Sequence, residues 1–289
     1  MTRILITGAN GQLGNELKDL AKGIPSLELT LTDHQELDIT NYSAIEQFLD
    51  GQQYEYCINC AAYTAVDKAE SEQELAYKIN AEAVGLLAKA TAQHGVKFVH
   101  ISTDFVFNGK QASPYKEEDN TEPLNAYGHT KLKGEELCQK YNPDSIIIRT
   151  AWLYSAYGNN FVKTMRRLGA ERKSLNVIYD QVGTPTYAND LAAAILHLIT
   201  EKKGSIAAGI YHYSNEGVAS WYDFAAAIME LSHLQCKVKP INTYEYPTPA
   251  TRPAFSILDK RKIKTALGIE VPYWRESLKR CIAELSKNA

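Results

Sequence analysis

Eighteen tyrosines are spread along the 289-residue chain, and only Tyr127 has a lysine four positions on, Lys131. On a helix that spacing puts both side chains on one face. An ammonium beside a phenol favours the phenolate, and is expected to lower the tyrosine pKa from ~10 towards neutrality. A phenol tuned in this way can give a proton to a carbonyl oxygen as hydride arrives, or take one in reverse. Lys131 has donors left over to hold the ribose of a nicotinamide. Taken alone, Y-x-x-x-K is as common on solvated helix faces, so its surroundings decide its meaning.

Two features supply those surroundings. The stretch ILITGANGQLGNEL places Gly8, Gly11 and Gly14 between an apolar run and an amphipathic one. Gly8 permits a tight turn, Gly11 lets the backbone approach a pyrophosphate, and Gly14 lets the following helix pack close to the strand. The pyrophosphate would then sit on the free N–H groups at the positive end of the helix dipole. Asp33 ends the next apolar run; a carboxylate there can accept hydrogen bonds from an adenosine ribose and repels a 2′-phosphate, which favours NADH over NADPH. Asp38 and Ile39 follow and could flank an adenine. The second feature is VKFVHIST, which ends at Ser102, Thr103 and Asp104. The carboxyl ends of strands in parallel sheets face the ligand crevice. Thr103 is therefore the candidate to hydrogen-bond and polarise the reacting carbonyl.

These residues need a scaffold, and the patterning provides one. Over the first 150 residues short apolar runs alternate with longer amphipathic ones. Strands are expected at Arg3 to Thr7, LELTLTD, YEYCINCAA, VKFVHIST and DSIIIRTAWLY. Helices are expected at GQLGNELKDLAKG, SAIEQFLDG, ELAYKINAEAVGLLAKATAQHG and NAYGHTKLKGEELCQKY. This βαβα order predicts an α/β fold, a Rossmann-type doubly wound parallel sheet with helices on both faces. After about residue 150 the pattern is less regular, with helices at NFVKTMRRLG, DLAAAILHLIT and WYDFAAAIMELSHL and strand-like LNVIYDQ and IYHYSN. The turn-rich piece from Tyr246 to Pro253 contains three prolines. Residues 1–150 read as a dinucleotide-binding domain, and 151–289 mainly as a smaller mixed α/β substrate domain. A segment at about 175–203 is expected to pack back onto the first.

Hydrophobic residues at 45% and charged residues at 22%, with a net charge of −3, fit an ordinary globular enzyme. They give no electrostatic footprint for nucleic acid or an anionic membrane. No apolar stretch approaches the ~18 residues of a membrane span, and the N-terminal pattern is not that of a signal peptide; a cytoplasmic location is expected. The five cysteines are scattered and odd in number, against a disulfide framework. Cys57 and Cys60 form a C-x-x-C, but residues i and i+3 of a strand point to opposite faces. Packing is the expected role, and no metal site is assigned.

With ITGANGQLG, LDITN, NCAAYTAVDKAE, ISTDFVFNG, PLNAYGHTKLKGE, RTAWLY, GNNFVKTM, DQVGTPTY and TRPAFSILD in view, the chain resembles the extended short-chain dehydrogenase/reductase superfamily. Within it the resemblance is closest to the dTDP-4-dehydrorhamnose reductase family, and it runs essentially end to end. It implies NAD(P)H-dependent reduction of the C4 ketone of dTDP-4-dehydro-L-rhamnose, the last step of dTDP-L-rhamnose synthesis. By the same resemblance Tyr127 is the proton donor, Lys131 its partner, and Thr103 a contact of the reacting oxygen. Gly11, Gln12 and Leu13 would lie on the cofactor pyrophosphate, Asp33, Asp38 and Ile39 on its adenosine half, and Ala62, Tyr63 and Thr64 elsewhere on it. Thr103, Asp104 and Trp152 match sugar-contacting positions, the indole offering an apolar face to C–H groups.

Arg252, in TRPAF, could grip the diphosphate, since a guanidinium binds two oxygens at once; a surface ion pair is the competing role. Asn80 could tie the site to its helix, although a polar helix face is the simpler expectation. Dehydratases of the superfamily follow the threonine with Asp-Glu, whereas Thr103 here is followed by Asp104 and Phe105, which disfavours dehydration. Two rivals stay open: another sugar-nucleotide 4-ketoreductase or 4-epimerase, and a non-catalytic regulatory subunit of the same fold. The resemblance also leaves open a homodimer and Mg2+, neither of which any residue pattern specifies.

Overall fold

The computed structural model describes residues 1–202 and 205–287. Six strands form one wholly parallel sheet, in the order Gly209–His212, Ile146–Thr150, Lys97–Thr103, Tyr56–Asn59, Thr2–Thr7, Leu27–Thr32. The first strand lies inside the sheet, with the second on one side and the third on the other. The chain therefore reverses direction across the sheet at the first strand, and the crevice opens at its carboxyl end.

Alternation along the strands loads both faces. Ile4, Ile6 and Ile58 pack with Leu13 and Leu17 of the helix Gln12–Ala21 and with Leu191 and Ile195 of the helix Ala188–Thr200. Leu5, Cys57 and Phe98 face the other way, onto Ile45 of the helix Tyr42–Leu49 and Leu87 of the helix Ala83–Gln93. Cys57 thus belongs to one core while Cys60 packs against the other. Both are free thiols, and burial pushes the Cys60 thiol up to about 12.

A second core joins Tyr154, Val162, Leu175, Phe224, Trp274 and Leu278. It is built on the helices Phe161–Glu171, Trp221–Leu231 and Trp274–Lys287 and on the parallel pair Ser174–Ile178 with Lys237–Ile241. The boundary differs from the sequence expectation. Of the segment at about 175–203, Ser174–Ile178 stays in the second unit, paired to Lys237–Ile241, while Ala188–Thr200 packs on the large sheet. Strand Gly209–His212, assigned by sequence to the substrate domain, is the sixth strand of the large sheet, and Ile263 and Leu267 also join its core. Residues 203 and 289, where the expected ranges end, lie outside the described residues. Chain order misleads here because a parallel strand can be added to a sheet edge after an excursion of any length.

Three helices escaped the sequence reading, the short Val66–Ala69, Arg261–Leu267 and Trp274–Lys287, as did the strand Lys237–Ile241. That strand reads K-V-K-P-I, and its proline fits an edge position better than an interior one. The long helix expected from ELAYKINAEAVGLLAKATAQHG is interrupted by a π turn at Lys78–Glu82, between Gln73–Tyr77 and Ala83–Gln93. Such turns often mark a functional position, and this one carries Asn80. Among the described residues no helix is long and apolar enough to cross a membrane.

Candidate active site

Gly8 sits at φ +66, and a Cβ there would lie 2.6 Å from the backbone nitrogen of Ala61, beyond the third strand. Only glycine fits both the conformation and the space. A Cβ on Gly14 would meet Ala9 at 2.6 Å, so that glycine lets the helix approach the turn. Gly11 is the N-cap of Gln12–Ala21; no side chain caps that helix and no acid stands in its first turn. Its first N–H groups and dipole are therefore available to an anion. Leu13 is buried in the core, so it can offer a ligand only its backbone N–H; the Gln12 amide oxygen accepts from Asn160 at 2.9 Å, which leaves its Nε2 donors and its backbone N–H for a ligand.

Asp33 ends the second strand beside this turn, where its Oδ2 accepts from the Asn10 backbone N–H at 3.2 Å. Asp38 accepts from the Thr40 backbone N–H and hydroxyl, which hold its carboxyl below the usual range. Ile39 is buried with Leu37 and Ile45, so its side chain serves the core. Ala62, Tyr63 and Thr64 follow the third strand at the same edge. Asn80 fixes them: its Oδ1 accepts from the Tyr63 N–H at 2.9 Å, and its Nδ2 donates to the Tyr63 carbonyl at 3.0 Å and the Thr130 hydroxyl at 3.2 Å. Asn80 is fully buried, which overturns the expectation of a polar face. The cradle of glycines, free N–H groups and a carboxylate at the neighbouring strand end fits a dinucleotide.

The helix Ala126–Tyr141 starts at Asn125, whose side chain accepts from Gly128 N–H at 2.8 Å and donates to the Thr251 carbonyl at 2.7 Å. It carries Tyr127 and Lys131 towards the end of the strand Lys97–Thr103. Lys131 is buried and donates to the Ile101 carbonyl at 2.6 Å. Thr103 donates to Asp104 at 3.0 Å and accepts from the Phe105 N–H at 3.2 Å, and the Phe105 ring meets Tyr127 edge-on with centroids 5.5 Å apart. The structure thus brings Tyr127, Thr103 and Asp104 together, with Lys131 behind them.

The electrostatics correct one expectation. The Tyr127 hydroxyl is displaced away from neutrality, not towards it. Burial pushes the Tyr127 hydroxyl up to about 12, with the Thr103 hydroxyl opposing and the Asp104 charge reinforcing the rise. Burial also draws Lys131 down to about 8, against Glu135, Cys138 and Cys60, and raises Asp104 to about 6 against the Ser256 and Thr103 hydroxyls. At neutral pH the phenol therefore carries its proton, the form needed to give one away.

Trp152 packs against the second core on one side and against a small cluster of Val106, Phe107, Tyr115, Ala151 and Leu258 on the other. It has a φ of 47, unusual for a bulky residue, and stacks on Trp221 with ring centroids 3.6 Å apart and planes 7° apart. A Cβ on Gly183 would come within 2.8 Å of the Trp152 ring, so that glycine makes room for the indole. Trp221, in the second unit, was not anticipated by sequence, and only a spatial argument could have paired it with Trp152. A cavity of about 830 Å³ opens beside it, lined among others by Phe161, Arg172, Trp221, Tyr246, Arg252 and Asp67. Arg252 does form an ion pair, with Asp67, and lines this cavity at the same time. Among the described residues no cluster of three or more His, Cys, Asp or Glu could hold a metal ion.

A doubly wound parallel sheet, a glycine turn at its reversal point and a Tyr-x-x-x-Lys helix beside a threonine strand end define a nicotinamide-dependent oxidoreductase of the short-chain dehydrogenase/reductase class. The family described as the RmlD substrate binding domain matches residues 1–287. The chain belongs to this family, that of the dTDP-4-dehydrorhamnose reductases. It is 44% identical to the dTDP-4-dehydrorhamnose reductase of Aggregatibacter actinomycetemcomitans, over 96% of this chain and 98% of that one. A crystal structure of a dTDP-4-dehydrorhamnose reductase from Clostridium acetobutylicum superposes with a TM-score of 0.94 at 47% identity, covering 99% and 100% of the two chains. That from Bacillus anthracis, solved in complex with NADP, gives 0.93 at 41% identity, covering 98% and 100%.

Proposed function

We propose that the chain reduces the C4 ketone of dTDP-4-dehydro-L-rhamnose to dTDP-L-rhamnose with NADH or NADPH. The observation that carries this reading is the placement of Tyr127 within hydrogen-bonding reach of Thr103, at the carboxyl end of the same sheet that bears the glycine turn. A bound nicotinamide supplies hydride to the ketone carbon. Thr103 orients and polarises the ketone oxygen, and Tyr127 delivers the proton to it. Lys131, charged at neutral pH, holds the cofactor ribose and favours the phenolate that remains. The first helix turn binds the pyrophosphate through backbone N–H groups, and Asp33 meets the adenosine ribose.

The sugar sits against Trp152, and the nucleoside diphosphate runs into the cavity of about 830 Å³, lined mainly by the second unit with Asp67 at its edge, towards Arg252. The reductase reading is supported over a dehydratase by Phe105, which puts an aromatic ring against Tyr127 in place of a second acid. A cytoplasmic location fits such a biosynthetic role. The test is NADH consumption with dTDP-4-keto-L-rhamnose: equimolar formation of NAD+ and dTDP-L-rhamnose is expected. An epimer formed without net cofactor oxidation would replace this reading by the 4-epimerase.

A further inference from the structure

Tyr127, Lys131 and Glu135 follow one another at four-residue intervals on one helix face. Glu135 is 1% exposed. It accepts from the Ser102 hydroxyl and from Arg149, through Nε at 2.9 Å and Nη2 at 2.7 Å. Arg149 is 2% exposed and belongs to the next strand of the sheet, Ile146–Thr150. Three consecutive residues of Lys97–Thr103 therefore face the catalytic groups: the Ile101 carbonyl takes Lys131, Ser102 takes Glu135, and Thr103 stands beside Asp104. The helix is pressed close, since a Cβ on Gly134 would lie 2.1 Å from the Asn80 carbonyl oxygen.

A buried ion pair is a weak source of stability, because desolvation offsets most of its attraction. Its placement one turn behind the lysine suggests another use. We propose that Glu135 is a positioning residue for the reaction: held by Ser102 and Arg149, it locks the register of the Tyr127 helix on the strand and keeps Lys131 an ammonium. This rests on the reading of Tyr127 and Lys131 given above. The groups facing Lys131 are Glu135 and Cys138 on its own helix, Cys60 beyond the third strand and His100 on the fourth. Both thiols are pushed up to about 12, and burial holds His100 well below its usual range, so all three are neutral near pH 7. Glu135 is then the charged group that offsets the burial of the ammonium. Arg149, on the fifth strand, acts on Lys131 through Glu135.

The test reads Lys131 directly in the cofactor-free protein by NMR of ε-13C-lysine, with its signal assigned by loss in Lys131→Arg. Glu135→Gln should lower the Lys131 midpoint by about one pH unit or more. The alkaline limb of kcat should move with it, leaving KM within about twofold. Since Glu135→Gln strands the buried Arg149 charge and could prevent folding, Glu135→Gln/Arg149→Met, which leaves neither charge buried alone, provides the second reading and should shift in the same direction. An unmoved Lys131 midpoint in either folded variant overturns the proposal. A midpoint that moves while the kcat limb stays fixed upholds the electrostatic role and instead overturns the assignment of Lys131 to the chemical step.

Discussion

Arg252 holds Asp67 with two nitrogens, at 3.0 Å to Oδ1 and 2.9 Å to Oδ2, joining the 246–253 loop to the short helix Val66–Ala69. The pair is partly exposed, so its direct worth to stability is small, about 1 kcal/mol or less. Its position on the cavity wall matters more. A guanidinium fork already oriented by a carboxylate can turn to a diphosphate with little loss of side-chain freedom. Arg252→Lys should raise KM for the dTDP-sugar by about tenfold while leaving the Kd for NADH unchanged. Steady-state kinetics and cofactor titration check this, and an unchanged KM would remove Arg252 from the substrate site.

Tyr127→Phe deletes one hydroxyl and keeps the ring against Phe105. Turnover should fall by about 10²- to 10⁴-fold, with cofactor affinity retained. Turnover close to that of the native protein would show that another group delivers the proton.

The pH dependence follows from two displaced groups. Lys131 titrates at about 8, so kcat for reduction should fall as pH rises through that value. Asp104 concerns stability. Its folded pKa, about 6, lies above its ordinary value, so the folded state binds more protons between the two. The stability is present in full below the ordinary carboxylate range and is lost as pH rises through about 6. Asp104→Asn should therefore gain stability relative to the native chain between pH 4 and pH 8, by on the order of 2–3 kcal/mol. Urea unfolding at both pH values measures it; an equal difference at both would contradict the assignment.

Asp33 faces the turn that would bear the cofactor. Asp33→Ala should raise KM for NADH by about tenfold and move preference towards NADPH, because it removes a ribose acceptor and a repulsion of the 2′-phosphate together. Initial rates with both cofactors decide it, and an unchanged ratio would place the adenosine elsewhere.

The sequence reading succeeded where local rules suffice. Gly8 announces a tight turn by its type and place, and Tyr127 and Lys131 share a face by helical spacing alone. It failed where the third dimension decides. Asn80 reads as one polar residue on a helix, and only the π turn and the third strand's loop reveal it as a brace. Trp221 lies far along the chain from Trp152, yet the two rings stack. Glu135 has the helical spacing, but Ser102 and Arg149 come from two strands whose pairing no local pattern announces. The phenol's charge went wrong for a related reason: spacing shows that an ammonium is near, not that burial outweighs it. The late strand Gly209–His212 was misassigned because its partner, Ile146–Thr150, precedes the whole intervening unit.

The most direct measurement is NADH oxidation with dTDP-4-keto-L-rhamnose beside its UDP analogue, with the sugar product identified. One NAD+ should form for each dTDP-L-rhamnose, with slower turnover of the UDP compound. A sugar epimer with no net NADH loss, or no turnover by a protein that still binds cofactor, would contradict the reductase reading.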